Sequence, residues 1–365
     1  MNYKWNLKEI KLKLLLAKLL HNKRAISIYQ NIYQIGNNNI TKEILTIKEA
    51  KKVDLFEAGI YFKTALEYIP DILYEDILNL FLIFNDFDIL DNNHEFNLLK
   101  MSDKELITIG YDIIKDINNP DMLYFYEKLL KENKINIVKN NKDVTSSHSE
   151  RIGGITISNQ LFRESYINIF RNDTIEDIEI LIHEFMHAYY YALDNFNDSK
   201  FHLLPELEGQ AGSLFAYKEL EKLHFEEIII LRQEALNSII ISSLYMIVNH
   251  ALYISNYDPQ KATHYLDETA PELGITINDD ELDYYLNTQG FQTCSNTISY
   301  LIILDLINKI SDNKELFEHI TRLKLNDDKS IMSILDSDSK LTFYMDNYQN
   351  IKKEYSKTRI KQIKP

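Results

Sequence analysis

Apolar residues recur at three- and four-residue spacing through most of the chain, the pattern of helices that turn one face inward. Leu12–Leu16–Leu19–Leu20, Phe56–Ile60–Ala65–Ile69 and Leu73–Ile77–Leu80–Phe84 are examples. Polar, Asn-rich clusters interrupt it at Gly36–Asn39, Asn92–Asn93, Asn118–Pro120 and Asn140–Ser149. There is no internal repeat, and no linker long enough to separate independent domains. The pattern predicts a mainly α fold with its best internal boundary at Asn140–Ser149. That boundary separates a helical N-terminal region, residues 1–145, from a second region at 146–350, with a tail at 351–365. All three are expected to belong to one compact unit with a cleft.

The pattern changes beyond the boundary. Arg151–Asn159 and Ser165–Phe170 are short, β-branched and alternating, and predict two strands of a small sheet. Gly153 and Gly154 mark a bulge there, or a place where another backbone comes close. A helix follows, from about Thr174 to Asp194, with capping-box spacing at Asp173 and Glu176 and further negative charge at Asp177. A second helix is expected from Pro205, a residue suited to a first helical turn, to about Leu223.

Composition narrows the functional classes. With 9 Gly and 6 Pro in 365 residues, an all-β sandwich or a Gly-rich nucleotide fold is disfavoured. A net charge of −15 argues against a nucleic-acid partner, which needs clustered cations. The stretch Ile351–Pro365 is locally basic and reads as a solvated tail. Cys294 is the single cysteine, so no intrachain disulfide forms, and it reads as a buried structural thiol. Lys11, Lys13 and Lys18 interrupt the apolar N-terminus, which reads as an amphipathic helix and not as a signal peptide. No segment reaches the roughly 18 uninterrupted apolar residues of a membrane span, so no membrane partner and a cytoplasmic location are expected.

The chemistry lies in the helix after the strands, in His183-Glu184-Phe185-Met186-His187. Histidines four residues apart stack on one helix face and suit two corners of a tetrahedral zinc site. The glutamate after the first histidine lies beside that pair. There it can take a proton from a water attacking a carbonyl and pass it to the leaving amine. One zinc ion per chain needs a third protein ligand, and a carboxylate on the next helix suits it. Glu206 and Glu208 both qualify. Glu208 is preferred because it sits more firmly within the helix, and the small residues Gly209, Ala211 and Gly212 would let that helix approach closely. His202 is a candidate loop contact; His148, His224, His250 and His264 read as structural or surface residues.

Arg151–Leu220 resembles the thimet oligopeptidase and oligoendopeptidase F family of zinc peptidases. The resemblance rests on Gly153-Gly154, strand Tyr166–Phe170, Asn172-Asp173-Thr174 with Asp177, His183–Ala188, and Glu208 with Ala211. It implies a helical zincin-like fold with a small β-sheet lining the active-site cleft, and cleavage of short peptides. It also implies that strand Tyr166–Phe170 pairs with the substrate backbone. On that basis Gly153, Gly154, Tyr166 and Asn168 are expected at the peptide substrate. Met186 replaces the family's glycine and would narrow the space beside the metal. The family's later His and Tyr pair would fall near Tyr284–Tyr300, where there is no histidine and Asn296 aligns with the tyrosine. Tyr300, Tyr285 or Tyr284 would then supply the hydroxyl. Three functions are compatible: a zinc-dependent metallopeptidase, a dedicated peptide-maturation protease of the same kind, and a catalytically weak peptide-binding or regulatory protein. The sequence does not specify the oligomeric state.

Overall fold

The computed structural model describes residues 3–37, 101–139, 153–159, 164–193, 206–223, 247–278 and 310–325, with isolated positions between 228 and 307. Among them the helices are α1 (Leu7–Leu19), α2 (Lys23–Gly36), α3 (Asp103–Asp116), α4 (Pro120–Lys131), α5 (Glu176–Ala192), α6 (Leu207–Lys222), α7 (Pro259–Thr269) and α8 (Asn313–Leu325). The strands are β1 (Ile135–Lys139), β2 (Gly154–Asn159) and β3 (Glu164–Arg171). The fold is mainly α with one small sheet, as the apolar spacing predicts. The segments around Ile60 and Leu73 and the tail 351–365 lie outside the described residues.

Local chemistry starts several of these helices. Ser102 and Glu105 form a complete capping box on α3, and Asn119 followed by Pro120 caps α4. The start of α5 is built differently from the predicted box. Asp173 does not cap it; Asp177, the second residue of the helix, turns its carboxylate back onto the preceding loop. It accepts the backbone N–H groups of Asn172, Asp173 and Thr174 at 2.8, 2.9 and 3.3 Å. Asp173 itself has a φ of 59°. The turn is therefore held from inside the helix.

The sheet runs in the order β1-β3-β2, with β1 parallel and β2 antiparallel to β3. β1 is an addition to the two predicted strands, and it comes from the region read as helical. Its pairing with β3 crosses the boundary at Asn140–Ser149. One sheet face packs on α5: Thr156 Oγ1 donates to the Glu184 carbonyl at 2.8 Å, and Ser165 Oγ to the Ala188 carbonyl at 3.1 Å. The two carbonyls are one helical turn apart, so two strand hydroxyls fix the sheet's register against the helix.

The other face meets α1 and α2 through a core of Trp5, Ile10, Ala17, Tyr29, Ile32 and Tyr166. Trp5 Nε1 donates to the carbonyls of Lys134 and Ile167, tying the N-terminus to β3 and to the residue that leads into β1. Glu164, at the start of β3, accepts from Lys13 of α1, from Tyr29 of α2 at 3.1 Å and from Tyr166 at 3.1 Å. Lys134 is 3.4 Å away. The stripe Leu12–Leu16–Leu19–Leu20, expected to face inward, is exposed, and Ile10 and Ala17 are the buried residues of α1. The helix carries apolar residues on both faces, so spacing alone does not select the inner one.

Two outcomes follow. Asp177→Ala strands three backbone N–H groups in a partly buried turn and should cost about 1–3 kcal/mol in urea unfolding, with Asp177→Asn losing less. Burial works against an ionised Glu164, but Lys13 and Lys134 outweigh it and hold its carboxyl below the ordinary value. Its stabilisation is therefore complete above about pH 4.3, the unfolded value, and is lost as pH falls through the lower folded value. Glu164→Gln lacks this component. In urea titrations the stability gap between wild type and variant should narrow on acidification below pH 4.

Candidate metal centre

Helices α5 and α6 lie against each other at glycines. A Cβ at Gly212 would come within 2.7 Å of Met186 Cγ and 3.1 Å of the Ile182 carbonyl. A Cβ at Gly209 would lie 2.6 Å from both Cε1 and Nε2 of His183, and 2.8 Å from Nε2 of His187. Neither position tolerates a side chain without displacing its neighbour. Met186 is fully buried at this interface. It fills the space over Gly212, so it does not narrow the space beside the histidines as the sequence suggests.

The close approach brings three donor atoms together. Nε2 of His183 and Nε2 of His187 are 3.1 Å apart, and Glu206 Oε2 lies 3.3 and 3.2 Å from them. A tetrahedral site with bonds of about 2.0–2.1 Å has donor–donor edges of about 3.3 Å. The triangle therefore has the size of one face of such a tetrahedron, and two imidazoles with a carboxylate form a zinc-type donor set. The residues fit the ion that the sequence implies.

The facing carboxylate is Glu206, where the sequence preference was for Glu208. Glu208 is fully buried, and its Oε1 lies 3.1 Å from Nδ1 of His187, on the opposite side of that ring. The reason is the position of the helix start. α6 begins at Leu207, and Glu206 is its N-cap residue with φ −99° and ψ 3°. Because Glu206 stands outside the helical turn, both carboxylates reach one imidazole, one at each nitrogen. Nδ1 of His183 has its own partner, the Ser213 hydroxyl at 3.0 Å, and that hydroxyl donates to Glu179.

Electrostatics favour positive charge between these donors. Burial disfavours a charged His187, but its hydrogen bonds to Glu206 and Glu208 outweigh that and raise its pKa well above the usual value. His183 is raised by Glu206 in the same way, against burial and the neighbouring His187. Burial likewise opposes an ionised Glu206, yet both imidazoles hold its carboxyl far below the usual carboxylate range.

Glu184 is buried on the sheet side of α5. A Cβ at Gly154 would be 2.6 Å from Glu184 Cγ and 3.0 Å from its Oε1, and one at Gly153 would be 2.2 Å from Ile180 Cδ1. The glycine pair is thus a close approach, made by side chains of α5 and not by a second backbone. Tyr166 and Asn168 are taken out of substrate reach. β3 is the central strand, paired on both sides, and these residues are 2 % and 0 % exposed. Tyr166 packs edge-on against Trp5, and Asn168 accepts from Asn136 across the sheet. Among the described residues the strand with an unpaired edge next to Glu184 is β2.

Tyr300 is buried, a placement that suits packing. Tyr284, Tyr285, Asn296, His202 and Cys294 lie outside the described residues. A tyrosine that the motif reading passed over stands closer to the site: the ring of Tyr191 stacks on His187 at 6.2 Å between centroids. Burial and the charges of Glu208, Glu206 and Glu184 raise its pKa. Its signal in the sequence is its spacing, one helical turn after His187.

The fold is similar to that of several solved proteins described as peptidases. A protein described as an oligoendopeptidase F from Bacillus anthracis str. Ames is similar over 93 % of this chain, with a TM-score of 0.57 and 14 % identity. PZ peptidase A is similar over 95 % of it, at TM-score 0.56 and 13 % identity, and a protein from Chlamydophila abortus described as a peptidase over 92 %, at 0.51 and 10 %. The chain spans 65, 71 and 64 % of the lengths of these three proteins. No family model and no curated protein matches the sequence.

Gly209→Ala tests the geometry directly. The added methyl has no space beside the two Nε2 atoms, so zinc affinity in competition with a chromophoric chelator should fall about tenfold or more.

Proposed function

We propose that this protein is a zinc-dependent metallopeptidase that hydrolyses short or unstructured peptides. The observation that carries the reading is the triangle of His183 Nε2, His187 Nε2 and Glu206 Oε2, of tetrahedral size, with Glu184 on the next residue of the same helix. The peptidase names of the proteins that share the fold support it. His183, His187 and Glu206 would hold the ion, with Glu208 orienting His187. When bound, zinc polarises the scissile carbonyl and acidifies the attacking water.

The remaining work falls to the chain. Glu184 takes the proton of the attacking water and returns it to the leaving amine. The edge of β2 that is unpaired among the described residues aligns an extended peptide by main-chain hydrogen bonds, with Gly154 allowing the strand to run close to Glu184 and Gly153 close to Ile180. Such a strand accepts extended segments, which favours flexible peptides over folded proteins. A dedicated maturation protease is a narrower form of the same reading. A single helix-to-helix contact forms the donor set, which makes it an integral part of the fold.

Glu184→Gln should lower kcat/KM on a short-peptide library at least about 100-fold while leaving zinc affinity within a few-fold of wild type. Wild-type cleavage rates in that variant would refute the assigned role. Zinc bound by the wild-type chain with no peptide cleaved would favour a peptide-binding protein on the same fold.

A further inference from the structure

The two histidines are supported unequally. His187 gives its Nδ1 hydrogen directly to a buried carboxylate, Glu208 at 3.1 Å. His183 meets a hydroxyl, Ser213 Oγ at 3.0 Å, and that hydroxyl in turn donates to Glu179 Oε1. Ser213 is 5 % exposed, and Glu179 lies one turn before His183 on α5. The relay therefore leaves α5 at Glu179, crosses to Ser213 on α6 and returns to α5 at His183.

A serine hydroxyl has one hydrogen, and its direction decides what it offers to the histidine. With the hydrogen committed to Glu179, the oxygen can only accept from His183. That places the imidazole hydrogen on Nδ1 and leaves the Nε2 lone pair turned toward Nε2 of His187 and Oε2 of Glu206. With the hydroxyl reversed, the serine would donate to Nδ1, the hydrogen would sit on Nε2, and the donor triangle would lose a corner.

We propose that Ser213 and Glu179 are positioning residues for zinc: Glu179 acts through the Ser213 hydroxyl to hold His183 in its metal-binding tautomer and orientation. This inference rests on the zinc reading above. It separates the jobs of two neighbouring acids on α5, Glu184 acting on substrate and Glu179 on a ligand. It also accounts for a polar side chain at Ser213, a buried position between packed helices.

The test is a double-mutant cycle on zinc affinity, read by chelator competition on the full chain, with urea unfolding of the metal-free protein alongside. Ser213→Ala should weaken zinc binding about tenfold, and Glu179→Leu by a similar factor. In the Ser213→Ala background Glu179→Leu should change affinity less than about twofold, because its route is already cut. Glu179→Gln, whose amide oxygen still accepts from the hydroxyl, and Ser213→Thr should both recover most of the affinity. Glu179→Ala enters the cycle if the leucine variant does not fold. Metal-free stability should not follow the affinity losses, since a merely structural role would move both together.

Losses that add independently, or affinities unchanged in both single variants, would overturn the relay while leaving the zinc reading intact. A wild-type chain that takes up no zinc would overturn the zinc reading, and the relay with it.

Discussion

The close approach of α5 and α6 is the constraint on which the site depends. Helices whose side chains interdigitate lie roughly 8–10 Å apart, too far for a short carboxylate at one helix start to meet imidazoles on the other unless the contact is bare. Gly209 and Gly212 make it bare on two successive turns, and Met186 occupies the space at the second. Close-packed interiors transmit such contacts with little slack, so the spacing of the three donors is inherited from helix packing.

The sheet supplies a second fixed distance. Thr156 and Ser165 bond to carbonyls one turn apart on α5, and Gly154 brings β2 onto Glu184. A strand edge and Glu184 are thus set against each other by the same helix that carries the histidines. β3 cannot serve as the docking edge because β1 occupies its other side. Trp5 braces that face from the N-terminus, and Lys13 and Tyr29 do so through Glu164 of β3, so the region before residue 145 helps to hold the strand behind the site.

How much of this is legible in the sequence depends on whether the signal is local. His183, Glu184 and His187 are read from four-residue spacing alone, and the small residues of α6 announce a close helix contact. β2 and β3 show in their alternation. β1 has a similar alternation, but it is five residues long and stands after two good helices. Its identity comes from pairing with a strand some thirty residues later, which no local pattern reveals. The outward leucines of α1 fail for a related reason, because two apolar faces give one periodicity. Asp173, expected to cap α5, instead lies in a loop with a positive φ, and the Asp177 carboxylate accepts the N–H groups of Asn172, Asp173 and Thr174 there, an arrangement that capping-box spacing does not reveal.

The choice between Glu206 and Glu208 turns on a distinction that helix propensity misses. In a regular helix, residues two apart point to nearly opposite sides and cannot share one partner. A residue just outside the helix is free of that rule, and a frayed first turn looks from the sequence like a poor place for a ligand. Here it is the advantage. Glu208, fixed by the helix, can only press on the back of His187, a job that needs rigidity. Glu206, at the N-cap, can turn its carboxylate to the front, where it must meet two imidazoles at once. Firmness of position in the helix therefore does not decide which carboxylate stands among the donors: the firm one meets Nδ1 of His187 from behind, and the freer one faces both Nε2 atoms.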